Sequence, residues 1–138
     1  MDHTTFYVPG SPRGKERPRK GKNANFYTPS RTREYENLVA WGARIAHQGD
    51  PFEGPVKLVL AISSCKSRAD TSNILKSIED GMNGIVYFDD KQIMEIHITR
   101  TRGNGQGVEV AVSKLRGEAD AEGKRTGKRA SKGQKDPD

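Results

Sequence analysis

The alternation of apolar and polar positions predicts four main strands within the first 115 residues. Residues 3–10 alternate as a short strand that ends at a Pro-Gly pair, because proline cannot continue an internal ladder. Residues 56–63, VKLVLAIS, form the nearly continuous apolar run of a buried strand, which predicts a central place in the sheet. IMEIHITRT (93–101) and GVEVAVSKL (107–115) alternate like paired strands, and the intervening GNGQG predicts a hairpin loop between them.

A first amphipathic helix is predicted between Ser30 and Gln48. Ser30 or Thr32 is available as its N-cap, and Trp41 lies beside the apolar stripe, which predicts that its ring is part of the core. The apolar or small positions that recur at helical spacing are Tyr35, Leu38, Val39, Gly42, Ile45 and Ala46.

A second helix is predicted over residues 71–83. Its apolar positions Ile74, Leu75, Ile78 and Met82 fall on one stripe when successive residues are placed about 100° apart. The opposite face carries polar side chains, with Lys76 and Asp80 four residues apart and therefore neighbours. The polar positions of this face are Asn73, Lys76 and Asp80.

Two further segments stand out by composition and charge. Residues 11–33 carry eight Lys and Arg against one Glu and are interrupted by glycine and proline, which predicts a basic, mobile arm with at most a brief strand at 26–28. Residues 116–138 contain no aromatic or branched apolar residue, which predicts a disordered polar tail. We therefore expect one domain, residues 1–115, followed by the tail.

The cysteine, histidine and apolar residues limit the classes of protein to which this chain can belong. The single cysteine, Cys65, cannot form an internal disulfide, and no stretch of about 20 apolar residues predicts a membrane span, so we expect a soluble cytoplasmic protein. The spacing of His3, His47 and His97 does not suit zinc, and no pattern predicts a small-molecule cofactor. A net charge of +6 and a pI near 9.5 favour a polyanionic partner.

An acidic island interrupts this basic chain in RADTSNILKSIEDGMNGIVYFDD, residues 68–90. Hydrolysis of a phosphodiester needs an activated water and neutralisation of phosphate charge, which magnesium held by carboxylates supplies. One predicted helix separates Asp70 from Asp90. We therefore expect the chain to return to the same end of the sheet after that helix, so that the two aspartates share a site. The acids of the island are Asp70, Glu79, Asp80, Asp89 and Asp90.

Each residue of the island also has an ordinary structural interpretation. Asp70 could be a plain N-cap, and Lys76 with Asp80 could be an exposed pair that contributes a few tenths of a kcal/mol. Asp89 and Asp90 could be turn residues before a strand. From the spacing alone, the catalytic and the structural interpretations both stay open.

Three stretches resemble a known family in order along the chain. FYVPGSPRGKERPR (6–19), FYTPSRTREYE (26–36) and RADTSNILKSIEDGMNGIVYFDDKQI (68–93) resemble the RusA-type Holliday junction resolvases, which are common in prophages. The third stretch is the most specific. There the family pattern is Asp-x-Asp-Asn-x-x-Lys, then an aspartate on the same helix, then two aspartates before a strand.

The resemblance implies a mixed α/β fold, with a small mixed sheet flanked by two main helices. It also implies a magnesium-dependent homodimeric endodeoxyribonuclease that nicks two opposed strands of a four-way DNA junction during recombination and repair. Carried over by position, Asp70 and Asp90 become metal ligands and, with Lys76, catalytic residues. Supporting positions are Ser72, Asn73, Asp80 and Asp89, and DNA contacts are Lys15, Arg17 and Arg19.

One departure from the family pattern keeps a second function open. The second aspartate of the pattern is Ser72 here, and a neutral hydroxyl is a weaker magnesium ligand than a carboxylate. The alternative is a non-enzymatic or degenerate nucleic-acid-binding module whose acidic island consists of helix caps and turns. A third possibility is a nuclease that uses the same site on RNA or on other structures, without preference for junctions.

Overall fold

The fold is a mixed α/β domain, as the sequence predicts. The computed structural model describes residues 2–16, 19, 20, 26, 27 and 30–115, so the prediction of a disordered tail at 116–138 lies outside the described residues. Every helix and main strand lies within two residues of its predicted bounds. In chain order the elements are β1 (His3–Pro9), β2 (Arg19–Lys20), β3 (Phe26–Tyr27), α1 (Ser30–Ala46), β4 (Val56–Ser64), α2 (Thr71–Met82), a 3-10 helix (Asp90–Gln92), β5 (Ile93–Thr101) and β6 (Gln106–Lys114).

The main sheet has the order β1-β6-β4-β5, and the apolar strand β4 lies in its interior, as predicted. β6 runs antiparallel to both β1 and β4, whereas β5 runs parallel to β4. The predicted hairpin between β5 and β6 is therefore wrong, because β4 lies between these two strands. Alternation along a strand indicates which side chains face the core, but it does not identify the neighbouring strand.

Both helices contribute to the core on one face of the sheet. Alternate β4 residues from Val56 to Ser64 are buried, and the residues between them are only half-buried. The α2 stripe predicted from the sequence is confirmed, since Ile74, Ile78 and Met82 are fully buried. The polar face of α2 is therefore directed away from the core.

The apolar residues of α1 do not all face inward. The buried stripe passes through Thr32, Tyr35, Val39 and Ala43. The prediction that Trp41 belongs to the core is wrong, because its side chain is 63% exposed. The neighbouring helix positions Leu38 and Ile45, which were expected to face inward, are exposed as well.

The basic arm contains more regular structure than predicted, because β2 and β3 pair antiparallel as a sheet of their own. The residues before β2 are attached to the α2 region. The Lys15 N–H donates to the Asn73 carbonyl at 3.0 Å, and the Ser67 hydroxyl donates to the Pro12 carbonyl at 2.6 Å. In the described part of the chain, neither helix is long and apolar enough to cross a membrane.

Close packing of α1 against α2 depends on the absence of a side chain at Gly81. A Cβ there would lie 2.7 Å from Cβ of Val39 and 3.0 Å from the carbonyl oxygen of Glu36. We expect Gly81→Ala to lower the free energy of unfolding by about 1–3 kcal/mol through overpacking, although alanine is the better helix former. Urea denaturation measures this change.

Gly49→Ala is the matched control, because a Cβ at Gly49 meets no atom within 4 Å. Its expected effect is within about 0.5 kcal/mol of zero, as for most surface substitutions. Equal stability of the two variants would show that the helices can separate to admit a methyl group.

Candidate active site on helix α2

The polar face of α2 carries the predicted site residues in one row. Ser72, Asn73 and Lys76 are exposed, and Asp80 is half-buried one turn beyond Lys76. Residues three and four apart on a helix are neighbours, so the row extends along the helix from its first turn. At a rise of about 1.5 Å per residue, the first and last of these residues lie about 12 Å apart along the axis.

Ion pairs connect the polar face of α2 to α1, to the arm and to the segment before β5. The Lys15 ammonium lies 2.6 Å from a Glu36 carboxylate oxygen and 3.0 Å from Oδ2 of Asp80. The Lys76 ammonium lies 3.5 Å from Oδ1 of Asp80 and 3.3 Å from Oδ2 of Asp90. Asp80 therefore bridges two cations. We call this alternating set the ion-pair row: Glu36, Lys15, Asp80, Lys76 and Asp90.

Both lysines of the ion-pair row remain protonated. Burial alone would lower the pKa of Lys15, but hydrogen bonds and charge interactions with Glu36 and Asp80 raise that pKa above its ordinary value. The charge of Asp80 has the largest effect on Lys76, and together with the hydrogen bond to Asp90 it raises the pKa of Lys76. Each side chain is therefore a fixed positive charge near neutral pH and not a proton acceptor.

The acids beside the row differ in their electrostatic surroundings. Burial, followed by repulsion from Asp90, raises the pKa of Glu79. Asp89 has a lowered pKa, chiefly because its carboxylate accepts a hydrogen bond from the Lys91 N–H at 3.0 Å.

The interpretation of the acids as caps and turn residues holds for Asp89 but only in part for Asp70. Asp89 and Gln92 form a capping box on the 3-10 helix, so Asp89 is a capping residue. Asp70 occupies the N-cap position of α2, but its exposed side chain makes no capping hydrogen bond. Its carboxylate therefore contributes less to helix formation than an ordinary aspartate cap.

Asp70 and Asp90 do not return to the same end of the sheet, and that prediction is wrong. Asp70 follows the carboxyl end of β4, whereas Asp90 precedes the amino end of β5. Because β4 and β5 are parallel, the connecting helix must run back along the sheet between these ends. Asp90 instead contacts the middle of α2 through Lys76. Within the described ranges, no group of three or more His, Cys, Asp or Glu is arranged to hold a metal ion.

Arg100 of β5 fixes the loop before α2, and the sequence prediction missed it. Its Nη1 donates to the Ala69 carbonyl at 2.8 Å and to Oγ1 of Thr71 at 2.9 Å, so it holds both neighbours of Asp70. Its Nε donates to the Ser64 hydroxyl at 2.9 Å. The sequence did contain a signal, because Arg100 lies two residues after Ile98 and therefore on the same face of β5, and Ile98 packs against the core.

The three predicted DNA contacts cannot all be located. Lys15 is engaged in the ion-pair row. Arg17 and the side chain of Arg19 lie outside the described residues. Contact of these cations with DNA remains a prediction.

Comparison with known proteins places the chain among the endodeoxyribonucleases. The family model described as endodeoxyribonuclease RusA matches residues 9–113, which include both helices and the arm. The chain belongs to the RusA endodeoxyribonuclease family, as its sequence motifs indicate. A search of curated proteins gives no match.

The Arg100 contacts predict a local effect of substitution. Arg100→Lys keeps the charge but loses the planar fork that holds two carbonyls and two hydroxyls. We expect a loss of about 1–3 kcal/mol in local stability, seen as faster amide hydrogen exchange in residues 66–72. Exchange in β6 should stay unchanged.

Arg102→Lys is the control for this experiment, because Arg102 is exposed just beyond the end of β5. It should leave exchange in residues 66–72 at the wild-type rate. Wild-type exchange in Arg100→Lys would mean that these hydrogen bonds do not fix the loop.

Proposed function

We propose that this protein is a magnesium-dependent Holliday junction resolvase that acts on cytoplasmic DNA. The observation that carries the proposal is the contact between Lys76 and Asp90, at 3.3 Å. It brings the two separate parts of the family motif together on the exposed face of α2. The match over residues 9–113 supports the endonuclease class, and the basic balance of the chain supports a polyanionic substrate.

The carboxylates beside α2 suit magnesium by their chemistry. Carboxylates are the hard oxygen ligands that magnesium prefers, and one or two of them suffice because the ion retains several waters. Asp70 and Asp90 are the proposed ligands, since Asp70 is exposed without a capping hydrogen bond and Asp90 makes an ion pair with Lys76. Asp70 lies at the N-terminus of α2 and Asp90 beside the middle of that helix, so each would hold an ion through a single carboxylate, with waters in the remaining positions. When bound, magnesium supplies Lewis acidity at the scissile phosphate and orients the attacking water.

Lys76 has a separate role in the proposed mechanism. Its side chain is 51% exposed, and its raised pKa keeps the ammonium charged. A fixed positive charge beside the scissile phosphate stabilises the negative charge that increases on the phosphate oxygens during hydrolysis. Asp80 and Asp90 hold this ammonium in place, so they position the cation as well as adding negative charge.

The resolvase is proposed to act as a homodimer, because two symmetric nicks in a junction need two identical sites. Exposed apolar residues of α1 support self-association. Leu38, Trp41 and Ile45 are 39%, 63% and 66% exposed at helical spacing, and such a stripe gains free energy when a second copy covers it. Backbone contacts from Lys15, Arg17 and Arg19 would then hold the two opposed strands.

A non-enzymatic module is the second candidate function, and two observations favour it. Ser72 replaces a carboxylate of the family pattern, and no three metal-ligating side chains converge among the residues that the structure describes. This candidate binds DNA with strong salt dependence but cuts no strand with any divalent ion.

Cleavage of a synthetic four-way junction tests the proposed function. With Mg²⁺, the protein should produce paired nicks near the crossover and leave a linear duplex of matched sequence intact. Asp90→Asn should still bind the junction but cut at least about 100-fold more slowly, because loss of several kcal/mol of charge stabilisation has that effect on rate. Denaturing gels and single-turnover rates measure both outcomes.

Asp50→Asn is the matched control, because it removes the same charge from an exposed loop residue. It should cut like the wild type. Normal cutting by Asp90→Asn would exclude Asp90 from the mechanism, and cutting of hairpins and duplexes as fast as junctions would contradict junction specificity. Binding without scission in Mg²⁺ or Mn²⁺ would favour the non-enzymatic module.

Sedimentation equilibrium tests the proposed homodimer. The wild type should sediment with the mass of two chains, and Trp41→Lys should weaken the association at least about tenfold, because it places a charge in the apolar stripe. Met94→Lys, at an exposed apolar position of β5, is the comparison and should remain dimeric. A monomeric wild type, with or without junction DNA, would contradict the homodimer.

A further inference from the structure

A cleft of about 420 Å³ lies beside the N-terminus of α2 and shares Lys15 with the ion-pair row. One wall is the arm segment Ser11–Glu16, and the other is the loop Lys66–Ala69 together with Asn73. Asp70, the proposed metal ligand at the start of α2, directly follows the second wall. The cleft therefore adjoins the candidate site.

The cleft has fixed walls. The Ser67 hydroxyl donates to the Pro12 carbonyl at 2.6 Å, which joins the two walls at a buried position. The backbone hydrogen bond from Lys15 to Asn73 joins them a second time. Gly14 lets the arm approach this closely, since a Cβ there would lie 2.9 Å from Cβ of Asn73 and 3.2 Å from Cβ of Ala69.

Positive charge dominates the lining of the cleft. Arg13, Lys66 and Arg68 are exposed, and none of them forms an ion pair within the part of the chain that the structure describes. Lys15 also lines the cleft, but its ammonium is paired with Glu36 and Asp80. Glu16 is the acid of the lining. We call Arg13, Lys66 and Arg68 the cleft cations.

The position of the cleft cations matches an electrostatic need of the candidate site. A DNA strand that reaches α2 meets the carboxylates of Glu79, Asp80 and Asp90, whose negative charge Lys15 and Lys76 offset only in part. Fixed cations beside that face attract the strand and offset the repulsion, and the positive end of the α2 dipole at the mouth of the cleft acts in the same direction. The cations come from two segments held together by hydrogen bonds, which fixes the spacing of their backbone positions.

We propose that this cleft binds the DNA backbone next to the scissile phosphate, with each of the cleft cations contacting a phosphate of that strand. This inference rests on the proposed function, because the cleft would hold the same DNA strand that the proposed active site cuts. The guanidinium groups of Arg13 and Arg68 offer planar, paired donors for phosphate oxygens, and Lys66 adds a point charge. These contacts recognise backbone and carry no base sequence information.

Salt-dependent binding of the four-way junction tests the cleft. Fluorescence anisotropy in EDTA measures affinity without cleavage, and the triple variant Arg13→Gln, Lys66→Gln and Arg68→Gln removes three charges from exposed positions. Each lost phosphate contact lowers the slope of log affinity against log salt by about 0.9, so the triple variant should lose about 2–3 in slope. Each single variant should lose about 1.

The matched control removes three cations from other surfaces. Arg44 lies in the last turn of α1, and Lys57 and Lys114 lie at the opposite end of β4 and β6 from the cleft. The triple variant Arg44→Gln, Lys57→Gln and Lys114→Gln has the same net charge and should change the slope by less than about 1. Equal slopes for the two triple variants would overturn the cleft proposal, because the effect would then reflect net charge alone.

Cleavage in Mg²⁺ separates failure of the cleft from failure of the proposed function. The cleft variant should need at least about tenfold more protein for half-maximal cutting, whereas Asp90→Asn should bind normally without cutting. A wild type that cuts junctions, together with a cleft variant that binds and cuts equally well, would remove the cleft and leave the resolvase proposal standing. A wild type that does not bind junctions would overturn both.

Discussion

The ion-pair row is the interaction on which the site geometry depends. It joins four separate parts of the chain: Lys15 of the arm, Glu36 of α1, Lys76 and Asp80 of α2, and Asp90 before β5. Each internal member has an oppositely charged neighbour on two sides, so removal of one leaves like charges close together. Exposed pairs contribute little singly, but a connected, partly buried row fixes side chains that would otherwise sample many rotamers.

The ion-pair row also separates an acidic part of the surface from a basic part. Lys15 and Lys76 offset the acids around α2, whereas Arg13, Lys66 and Arg68 beside them form no ion pair with any residue that the structure describes. A basic protein can therefore maintain an acidic face, here the proposed metal site, without repelling a polyanion. This arrangement answers why the negative charge of the sequence is concentrated in a single island, and it is the physical basis of the proposed nuclease function.

The sequence predicts local structure here better than it predicts neighbours. Burial of Ile78 on α2 and of Leu60 in β4 follows from periodicity, because the spacing of apolar residues along one element indicates which of its faces is buried. The order of strands and the opposite placement of Asp70 and Asp90 depend on a parallel crossover that no local pattern encodes. The partners of Arg100 could not be predicted for the same reason, since they come from a loop about 30 residues earlier in the chain.

Paramagnetic broadening by Mn²⁺, used in place of Mg²⁺, tests the central claim most directly. The account predicts that the backbone amides near Asp70, along the polar face of α2 and near Asp90 broaden at the lowest Mn²⁺ concentration, and that Asp90→Asn raises the concentration required. Broadening spread evenly over exposed acids such as Glu53 and Glu109, and unchanged in Asp90→Asn, would contradict a divalent metal site on this helix.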